Sequence, residues 1–465
     1  MGRLAQAGRP TSLYTRSVHG HTEDSARLAD QILAYAEDRF RLDPVPLDGP
    51  KTPDELARLA GPTITAEGLG GEAALELFGD VLSRACISTD HPRFLSFIPA
   101  APTEAATLFD LVVGASSIYA GSWLEGAGAV YAENQALRWI ADLAGLPESA
   151  GGVFVQGGTV GNLSALVAAR HTAAERSGSR PARWKVAATA QAHSSVKTAA
   201  RVMDVDVLEV EPDGDGRLRG EALRAALDSA ADGVFAVVAT AGTTNFGTVD
   251  RLDEVADVCA ERELWFHVDG AYGGAALAAP SVRGLFDGVE RADSFIVDPH
   301  KWLFAPYDCC ALLYREPELA RAAHTQTAGY LEPLQGGDDW NPSDYAVNLT
   351  RRARGLPFWF SLATHGTRAY SDAVEQTLAV SRYAAAEISA RTYVELLAAP
   401  DLSVVVFRRL GWTPAEYYDW SERLMRANFA FVTPTTHLGE TVTRFAIVNP
   451  RTTEGDISTI LDTMA

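Results

Sequence analysis

Cysteine is scarce in this sequence, and no two cysteines form a Cys-x-x-Cys pair. The four among the 465 residues are Cys86, Cys259, Cys309 and Cys310. They stand in apolar stretches, a pattern that indicates neither a zinc site nor a disulfide framework. We therefore expect no metal site and a reducing compartment, which favours a cytoplasmic location. The polar, basic start of the sequence agrees, because the apolar core of a secretory signal does not follow it.

Long hydrophobic runs and an excess of positive charge are also missing. No window approaches the roughly 18–20 uncharged apolar residues of a membrane span. The 40 lysines and arginines are outnumbered by 60 aspartates and glutamates, which gives a formal net charge of −20. Such a charge opposes nucleic acid and anionic membranes, because both attract basic surfaces. The expected partner is a small molecule, and neither nucleic acid nor a membrane is expected.

Short apolar runs alternate with helical segments in the middle of the chain. A helical pattern from about residue 101 to 143 comes first and ends at a Gly-Leu-Pro signal. Six β-branched or apolar runs follow, at 152–155, 184–188, 205–210, 234–239, 264–268 and 294–297. This alternation predicts an α/β fold with a mostly parallel central sheet and helices on both faces. Ligands bind at the carboxyl ends of such strands, so the residues after each run are candidates for chemistry.

The length allows two or three domains at roughly 100–200 residues per domain. Residues 1–90 read as helices broken by proline and glycine linkers. A large domain is expected over residues 91–360. A smaller α+β domain is expected over residues 361–465, where a long helix precedes two further apolar runs at 402–407 and 443–448.

A glycine-rich turn follows the first run of the predicted sheet. Its residues, Gln156-Gly157-Gly158-Thr159, open into an apolar helix. Free N–H groups at such a helix start favour a phosphate. The turn lacks both the Gly-Lys-[Ser/Thr] ending of a P-loop and the Gly-x-Gly-x-x-Gly spacing of dinucleotide folds. By itself it is equally typical of a tight turn without a ligand.

An acid and a lysine end the fifth and sixth runs. Asp269 stands at the tip of an apolar strand, where a buried carboxylate needs a cation. Lys301 is flanked by apolar residues, and we expect desolvation to lower the pKa of its amine and make it nucleophilic. About one strand-helix-strand unit separates the two, so both can reach one crevice. Taken singly, such an acid is more often part of a structural ion pair, and such a lysine is more often part of an ion pair or an ordinary surface lysine.

Together these features fit pyridoxal phosphate. The turn supplies a phosphate cup, the acid a partner for the pyridine nitrogen, and the lysine an amine that binds the aldehyde covalently. A flat group over the cofactor ring would complete the set. His193 follows the second run and so takes the next place at the same sheet edge. A single histidine in a loop more often has no functional role, but the position of His193 at this sheet edge favours a role in the site.

Four segments carry a more specific signal. They are Ala192-His193-Ser194-Ser195-Val196, Ala241-Gly242-Thr243-Thr244, His267-Val268-Asp269-Gly270-Ala271-Tyr272 and Pro299-His300-Lys301-Trp302. In this order they resemble the group II pyridoxal-phosphate-dependent decarboxylases, close to aromatic-L-amino-acid decarboxylase, over about residues 91–446. The resemblance implies PLP fold type I (aspartate-aminotransferase-like). It also implies a homodimer with the active site at the interface and the segment 1–90 packing across it.

The resemblance also implies roles for individual residues. Lys301 would bind the cofactor covalently, Asp269 would hold the pyridine nitrogen, and His193 would stack on the ring. Thr243 would lie under the cofactor, near Asp269 and Ala271. The residues that would hold or neighbour the phosphate are Gly158, Thr159, Ser294 and His300. Asp298 replaces the asparagine that is usual before Pro-His-Lys, which adds a carboxylate near that phosphate.

Tyr330 matches a tyrosine that family members carry on a mobile loop over the site. The glycine-rich segment from 335 to 342 has the character of such a lid. Relatives that form aldehydes tend to carry phenylalanine instead, so Tyr330 favours simple decarboxylation to an amine and carbon dioxide, with the tyrosine as proton donor. An ordinary surface loop explains the segment equally well without the resemblance.

The expected chemical class of the substrate side chain is inferred from an apolar segment of the sequence. Phe97, Ile98 and Pro99 align with the family's substrate-pocket wall, and Gly121 stands where animal aromatic decarboxylases carry a bulky ring. The resemblance therefore implies an aromatic or bulky apolar L-amino acid, although core packing explains the segment equally well. Two alternatives keep the same cofactor site: oxidative decarboxylation-deamination to an aldehyde, and an aminotransferase.

A catalytically silent homologue is disfavoured, because Lys301, Asp269, His193 and Tyr330 are all retained. A nicotinamide oxidoreductase would need the Gly-x-Gly-x-x-Gly turn that the sequence lacks.

Overall fold

The structure is a computed structural model that describes residues 19–334 and 339–465, without the side chains of Pro333 and Leu334. Half of the predicted lid segment 335–342, residues 335–338, lies outside the described residues. The boundary between two compact units falls between Ile87 and Ser88. No helix of the described residues is long and apolar enough to cross a membrane.

The first unit is helical. Its helices are α1 (Glu23–Phe40), α2 (Pro53–Ala60) and α3 (Gly71–Leu77), followed by a π-helical turn at Phe78–Leu82 and a 3-10 turn at Ser83–Ala85. The side chain of Thr22 caps α1 by accepting the N–H of Ser25 at 3.1 Å. A β-carbon on Gly71 would lie 2.5 Å from Cδ2 of Leu28, so this glycine lets α3 approach α1 closely.

A seven-stranded sheet is the centre of the second unit. Its strands are β1 (Gly151–Val155), β2 (Lys185–Thr189), β3 (Asp206–Val210), β4 (Val234–Thr240), β5 (Trp265–Asp269), β6 (Ser294–Val297) and β7 (Cys310–Tyr314). Their spatial order is β1-β7-β6-β5-β4-β2-β3, and only β7 runs antiparallel to its neighbours. All six predicted runs form strands, and the mostly parallel sheet is confirmed. β7 was not predicted, because its Ala-Leu-Leu composition suits a buried helix equally well.

Helices cover both faces of this sheet. Those before the smaller domain are α4 (Glu104–Ala115), α5 (Trp123–Leu143), α6 (Gly158–Ser177), α7 (Ser194–Met203), α8 (Gly220–Ala230), α9 (Leu252–Arg262), α10 (Pro317–His324) and α11 (Leu356–His365). Neighbouring residues of β4 point to opposite layers: Val237 packs in the layer that includes α5 and α9, and Val238 in the layer of α6 and α7. This two-sided burial explains why the parallel strands read as continuous apolar runs.

The helical pattern predicted over residues 101–143 forms two helices, and the break between them was not predicted: residues 116–122 separate α4 from α5. Ser117 takes a positive φ of 49° after the end of α4. Ser122 then caps α5 by accepting the N–H of Glu125 at 3.3 Å. Serines that bond to nearby backbone favour turns and caps over a helix interior, which is why the apolar pattern misled.

A smaller antiparallel sheet lies near the end of the chain. It contains β8 (Val394–Leu396), β9 (Val404–Arg409), β10 (Pro434–His437) and β11 (Glu440–Ala446), in the order β10-β11-β9-β8. Three helices accompany it: α12 (Thr367–Ala390), α13 (Pro414–Arg426) and α14 (Glu454–Asp462). The two predicted runs overlap β9 and β11, whereas β8 and β10 were not predicted. Residue 360, the expected domain boundary, falls inside α11.

Candidate active site

A cleft of about 400 Å³ opens at the carboxyl ends of β1, β2, β5 and β6. The parallel strands bring the residues that follow them to one edge of the sheet, as the sequence predicts. Seven of the predicted site residues line this cleft: Gly158, Thr159, His193, Asp269, Ala271, His300 and Lys301. Gln156 and Gly157 of the predicted turn also line it, as does Asp298, which the sequence places near the phosphate; Val160, Asn162 and Asp308 line it without a predicted role.

The glycine-rich turn forms one end of the cleft and starts α6. No described side chain caps the first N–H groups of this 20-residue helix. They are therefore available to an anion, which the helix dipole also favours. A β-carbon on Gly158 would lie 3.2 Å from Cβ of Ala271 and 3.3 Å from Oδ2 of Asp298. The missing side chain keeps a cradle open, and this cradle fits a phosphate group.

Lys301 is partly exposed and makes an ion pair with the buried Asp298, with 2.8 Å between its Nζ atom and Oδ2 of Asp298. Burial, the largest single influence, lowers the pKa of the amine, but the charge and hydrogen bond of Asp298 together with the charge of Asp269 raise the pKa of Lys301 above its usual value. The lowered pKa expected from the sequence is therefore wrong. The cause is a partner three residues away, which places a charge against the amine that composition alone does not reveal.

Asp298 lies on the wall of the cleft, next to the cradle. Burial by itself raises the pKa of this carboxyl, but the charges of Lys301 and His300 outweigh burial and keep its pKa below the usual value. Its Oδ1 atom has no hydrogen-bond partner among the described residues. A phosphate in the cradle would face this carboxylate, so the site fits pyridoxal phosphate with one repulsive feature.

Asp269 ends β5 with its carboxylate held from two sides. Oδ2 accepts a hydrogen bond of 2.8 Å from Nδ2 of Asn162, and Oδ1 accepts one of 3.1 Å from the backbone N–H of Ala271. The side chain is almost completely buried at the cleft wall. A carboxylate fixed in this way is suited to hold a protonated ring nitrogen.

His193 caps the start of α7 from the cleft wall. Its Nδ1 atom accepts the backbone N–H of Ser195 at 3.2 Å and lies 2.8 Å from the hydroxyl oxygen of the same serine. His300 lies on the other side of the cleft, and its Nδ1–H donates to the carbonyl of Cys309 at 2.7 Å. Burial lowers the pKa of His300.

Two predicted cofactor contacts are not among the described residues that line the cleft. Thr243 is buried on the loop after β4, where its hydroxyl accepts the N–H of Thr248 at 3.2 Å. Ser294 starts β6 and so lies at the opposite edge of the sheet from the cleft. Its hydroxyl bonds to His267 at 2.7 Å and to Trp265 at 2.8 Å. The hydroxyl of Ser294 is therefore not available to a phosphate in the cleft, contrary to the expectation.

The predicted lid and substrate residues also lie outside the set that lines this cleft in the described chain. Tyr330 belongs to the 3-10 segment Gly329–Leu334 and is 74% exposed. Phe97 is exposed, whereas Ile98 and Pro99 are buried. Gly121 is buried beside Tyr119, whose hydroxyl would lie 2.2 Å from a β-carbon at position 121.

The apolar segment does reach a neighbour of the cleft. The N–H of Ala100 donates to the hydroxyl of Tyr307 at 3.1 Å. The ring of Tyr307 lies 5.1 Å from the ring of His300, centre to centre. Residues 97–100 are thus connected to the cofactor cleft through Tyr307.

Asn162 is the main residue that the sequence analysis missed. It lies in the first turns of α6, between Gly161 and Ala165 on the face that is buried against the sheet. A polar side chain within an apolar helical stripe is the signal that could have identified it, because buried amides need hydrogen-bond partners.

Comparisons with known proteins agree with this geometry. Residues 53–410, more than half of the chain, match the pyridoxal-dependent decarboxylase conserved domain. The chain is 29% identical over 391 residues to the aromatic-L-amino-acid decarboxylase of Bacillus atrophaeus, covering 80% of each protein. It is 32% identical over 409 residues to the L-2,4-diaminobutyrate decarboxylase of Rhizobium meliloti (strain 1021), covering 85% of this chain and 81% of the relative.

The fold has a solved counterpart in the crystal structure of Oryza sativa TDC with PLP and tryptamine. The TM-score is 0.87 at 25% identity, and the match covers 96% of this chain and 98% of the rice chain. PLP fold type I and the pyridoxal phosphate cofactor, both implied by the sequence, are confirmed. The chain belongs to the pyridoxal-dependent decarboxylase family and is an amino acid decarboxylase that uses pyridoxal phosphate.

Proposed function

We propose that this enzyme removes the carboxylate of an aromatic or bulky apolar L-amino acid to yield the corresponding amine and carbon dioxide. The observation that carries the proposal is the convergence of Lys301, Asp269 and His193 on one cleft beside the open start of α6. These groups are the amine, the acid and the flat ring that pyridoxal phosphate chemistry needs.

Each part of the cofactor has residues that suit it. Gly158 and Thr159 offer N–H groups to the phosphate, and His300 lies nearby. Lys301 is the amine that attaches the aldehyde, and Asp269 holds the ring nitrogen. When bound, pyridoxal phosphate accepts the electron pair that the departing carboxylate leaves behind.

The residues of the chain control the protons around this chemistry. Asp298 keeps Lys301 as an ammonium ion, so the amine must lose a proton before it can attack an aldehyde. The two hydrogen bonds to Asp269 keep both carboxylate oxygens at the cleft wall, where one can hold the proton of the ring nitrogen. His193 would cover one face of the ring and exclude water there.

Tyr330 is the proposed donor of the proton that replaces carbon dioxide on the substrate. Its high exposure leaves the phenol free to meet a cleft when its loop closes. We further propose a homodimer with the active site at the interface and with residues 1–90 packing across it. The apolar side chains of Leu108, Leu111 and Val112 on α4 support this proposal, since each is 43–51% exposed and together they suit a partner surface.

The substrate class rests on the apolar character of Phe97, Ile98 and Pro99 and on the hydrogen bond from the next residue, Ala100, to Tyr307, whose ring lies beside His300 of the cleft. The similarity to an aromatic-L-amino-acid decarboxylase supports the same choice. The chain is also similar to a diaminobutyrate decarboxylase, so diaminobutyrate must be tested as a substrate beside the aromatic amino acids. The proposed compartment is the cytoplasm, on the ground of the cysteine pattern.

The experiment is a product analysis with purified protein and added pyridoxal phosphate. Phenylalanine, tyrosine, tryptophan, histidine, glutamate and 2,4-diaminobutyrate are supplied separately, and amine, carbon dioxide, aldehyde and peroxide are measured. We expect amine and carbon dioxide in equal amounts from one or more aromatic substrates, and neither from the Lys301→Ala variant. Turnover of diaminobutyrate or glutamate alone would contradict the substrate class, and aldehyde with peroxide would contradict the reaction.

A further inference from the structure

A buried chain of hydrogen bonds connects Asp269 to His193 through one side chain, that of Asn162. The Nδ2 atom of Asn162 lies 2.8 Å from Oδ2 of Asp269 and 2.8 Å from Oγ of Ser195. Ser195 in turn lies 2.8 Å from Nδ1 of His193. One amide therefore contacts the proposed partner of the ring nitrogen directly and the proposed stacking residue through a single hydroxyl.

The carboxylate of Asp269 fixes the orientation of this amide. An ionised carboxylate only accepts hydrogen bonds, so the atom that faces it must be the NH₂ group of Asn162. The opposite orientation would place two acceptor oxygens 2.8 Å apart. The Oδ1 atom of Asn162 is then left to accept from Nε2 of His267, at 2.8 Å.

The state of His267 agrees with this assignment. Complete burial lowers the pKa of this histidine to about 4, so the ring is neutral near pH 7 and has one N–H. That proton lies on Nε2 and points to Asn162. The other nitrogen, Nδ1, then accepts from the hydroxyl of Ser294 at 2.7 Å, and this hydroxyl accepts from the indole N–H of Trp265 at 2.8 Å.

The same logic sets the proton position on His193. Both the backbone N–H of Ser195 and its hydroxyl point to Nδ1 of His193, at 3.2 and 2.8 Å. A backbone N–H can only donate, so Nδ1 is an acceptor and the ring proton lies on Nε2. The hydroxyl of Ser195 is free to donate to the histidine because the NH₂ group of Asn162 occupies its acceptor side.

We propose that Asn162 is a positioning residue that fixes the Asp269 carboxylate and the proton of His193 together. The inference rests on the proposed roles of those two residues in binding the cofactor. Asn162 belongs to α6, the helix whose first N–H groups face the phosphate cradle, so one rigid element serves both ends of the cofactor. Every side chain in this hydrogen-bonded series, from Trp265 to His193, has a hydrogen-bond partner among the described residues.

The first experiment compares two substitutions at position 162 in the full-length protein. Asn162→Asp keeps the size of the side chain but places an oxygen against Asp269, whereas Asn162→Ala only removes the bonds. Pyridoxal phosphate affinity is measured by absorbance titration, which needs no turnover. We expect the affinity to fall about tenfold in Asn162→Ala, as for the loss of one or two buried hydrogen bonds, and further in Asn162→Asp. Near-native affinity of Asn162→Asp would show that Asn162 only fills space and would overturn the proposal.

The second experiment is a double-mutant cycle with Ser195→Ala. We expect Ser195→Ala to weaken cofactor binding about fivefold in the native background and less than twofold in the Asn162→Ala background, because its hydroxyl is no longer oriented there. Equal effects in both backgrounds would show that Asn162 does not act through Ser195, and this outcome would overturn the link to His193.

A spectroscopic measurement covers the case in which Asn162→Ala does not fold. The pH dependence of the bound-cofactor absorbance is then compared between the native protein and Ser195→Ala, which leaves Asn162 in place. A shifted midpoint in Ser195→Ala is expected, and an unchanged midpoint would contradict the proposed control of His193.

Thr172→Val is the matched control, because Thr172 is also buried on α6 and its hydroxyl has no hydrogen-bond partner among the described residues. We expect its cofactor affinity to stay within twofold of the native value, and an equal loss there would assign the effect to the packing of α6. These measurements separate the inference from the proposed function: absence of amine from every amino acid would refute the latter, while the cofactor titrations would still test Asn162.

Discussion

The carboxylate of Asp298 and the amine of Lys301 form an ion pair inside the cofactor cleft, 2.8 Å from Oδ2 to Nζ. The side chain of Asp298 is only 2% exposed, so the pair is screened little by water. The same carboxylate borders the phosphate cradle next to Gly158. One carboxylate therefore contacts both the amine proposed to bind the cofactor and the cradle proposed for its phosphate.

The pH dependence of cofactor loading follows from this pair. A lysine amine is protonated at neutral pH even at its usual pKa, and Asp298 raises the pKa of Lys301 further, so only a small neutral fraction can attack the aldehyde. That fraction grows tenfold for each unit of pH below the pKa. We expect the loading rate, followed by stopped-flow absorbance, to rise with pH through the range from 7 to 9. A rate that is flat over this range would contradict the raised pKa.

Asp298→Asn should make loading faster and tighter. The amide removes the negative charge that stabilises the ammonium form of Lys301 and that faces the phosphate. We expect the loading rate at pH 7 to increase about tenfold, as for a fall of one unit in the pKa of the amine. Asp308→Asn is the matched control, because Asp308 lines the same cleft but pairs with Arg354. If the loading rate of Asp298→Asn equalled that of the native protein at every pH, Asp298 would not control the pKa of Lys301.

Lys301→Ala should abolish the visible absorbance of covalently bound cofactor together with turnover, because no described amine other than that of Lys301 lines the cleft. Spectra and amine assays on the same preparation are the measurement. Native-like thermal unfolding is the control for folding. Retained activity would refute the site.

Tyr330→Phe should change the product rather than the binding of the cofactor. The variant keeps the ring but loses the phenolic proton proposed to replace carbon dioxide. We expect aldehyde to increase at the expense of amine, with cofactor affinity within twofold of the native value. The product ratio is measured by chromatography, and a ratio equal to that of the native enzyme would remove Tyr330 from the proton-donor role.

Gly158→Ala should weaken cofactor binding with little effect on folding. The new β-carbon would lie 3.2 Å from Cβ of Ala271, inside the phosphate cradle. We expect about a tenfold loss of pyridoxal phosphate affinity, as for a steric cost of roughly 1.4 kcal/mol. Gly128→Ala in α5 is the matched control, because a β-carbon there would meet no atom within 4 Å. Equal affinities of the two variants would contradict the assignment of the cradle.

The sequence predicts the site residues whose positions depend on the order of the strands. It misses the contacts that depend on distances between side chains from separate parts of the fold. Asp269, His193 and Lys301 each follow a predicted strand, so parallel topology alone brings them together. The partner of Lys301 and the role of Asn162 depend on side-chain directions that no periodic pattern encodes. Ser294 was assigned to the phosphate from the family resemblance, although it begins its strand rather than ends it.

The elements of the fold can likewise be divided into those that the sequence predicts and those that it misses. Five of the six β-branched or apolar runs between residues 151 and 297 were found because both of their faces are buried. The sixth, β3, is a partly exposed edge strand and was found from its alternating apolar residues. The break at residues 116–122 was missed because a serine cap overrides an apolar pattern locally. β7 was missed because its composition does not distinguish a strand from a helix.

The antiparallel direction of β7 has a mechanical consequence for the enzyme. The chain turns back within residues 298–309, so the segment that carries Lys301 is held at both ends by neighbouring strands of the sheet. The proposed attachment point of the cofactor therefore lies on a short connection between two paired strands. We expect any opening and closing of the cleft to come from segments outside this connection.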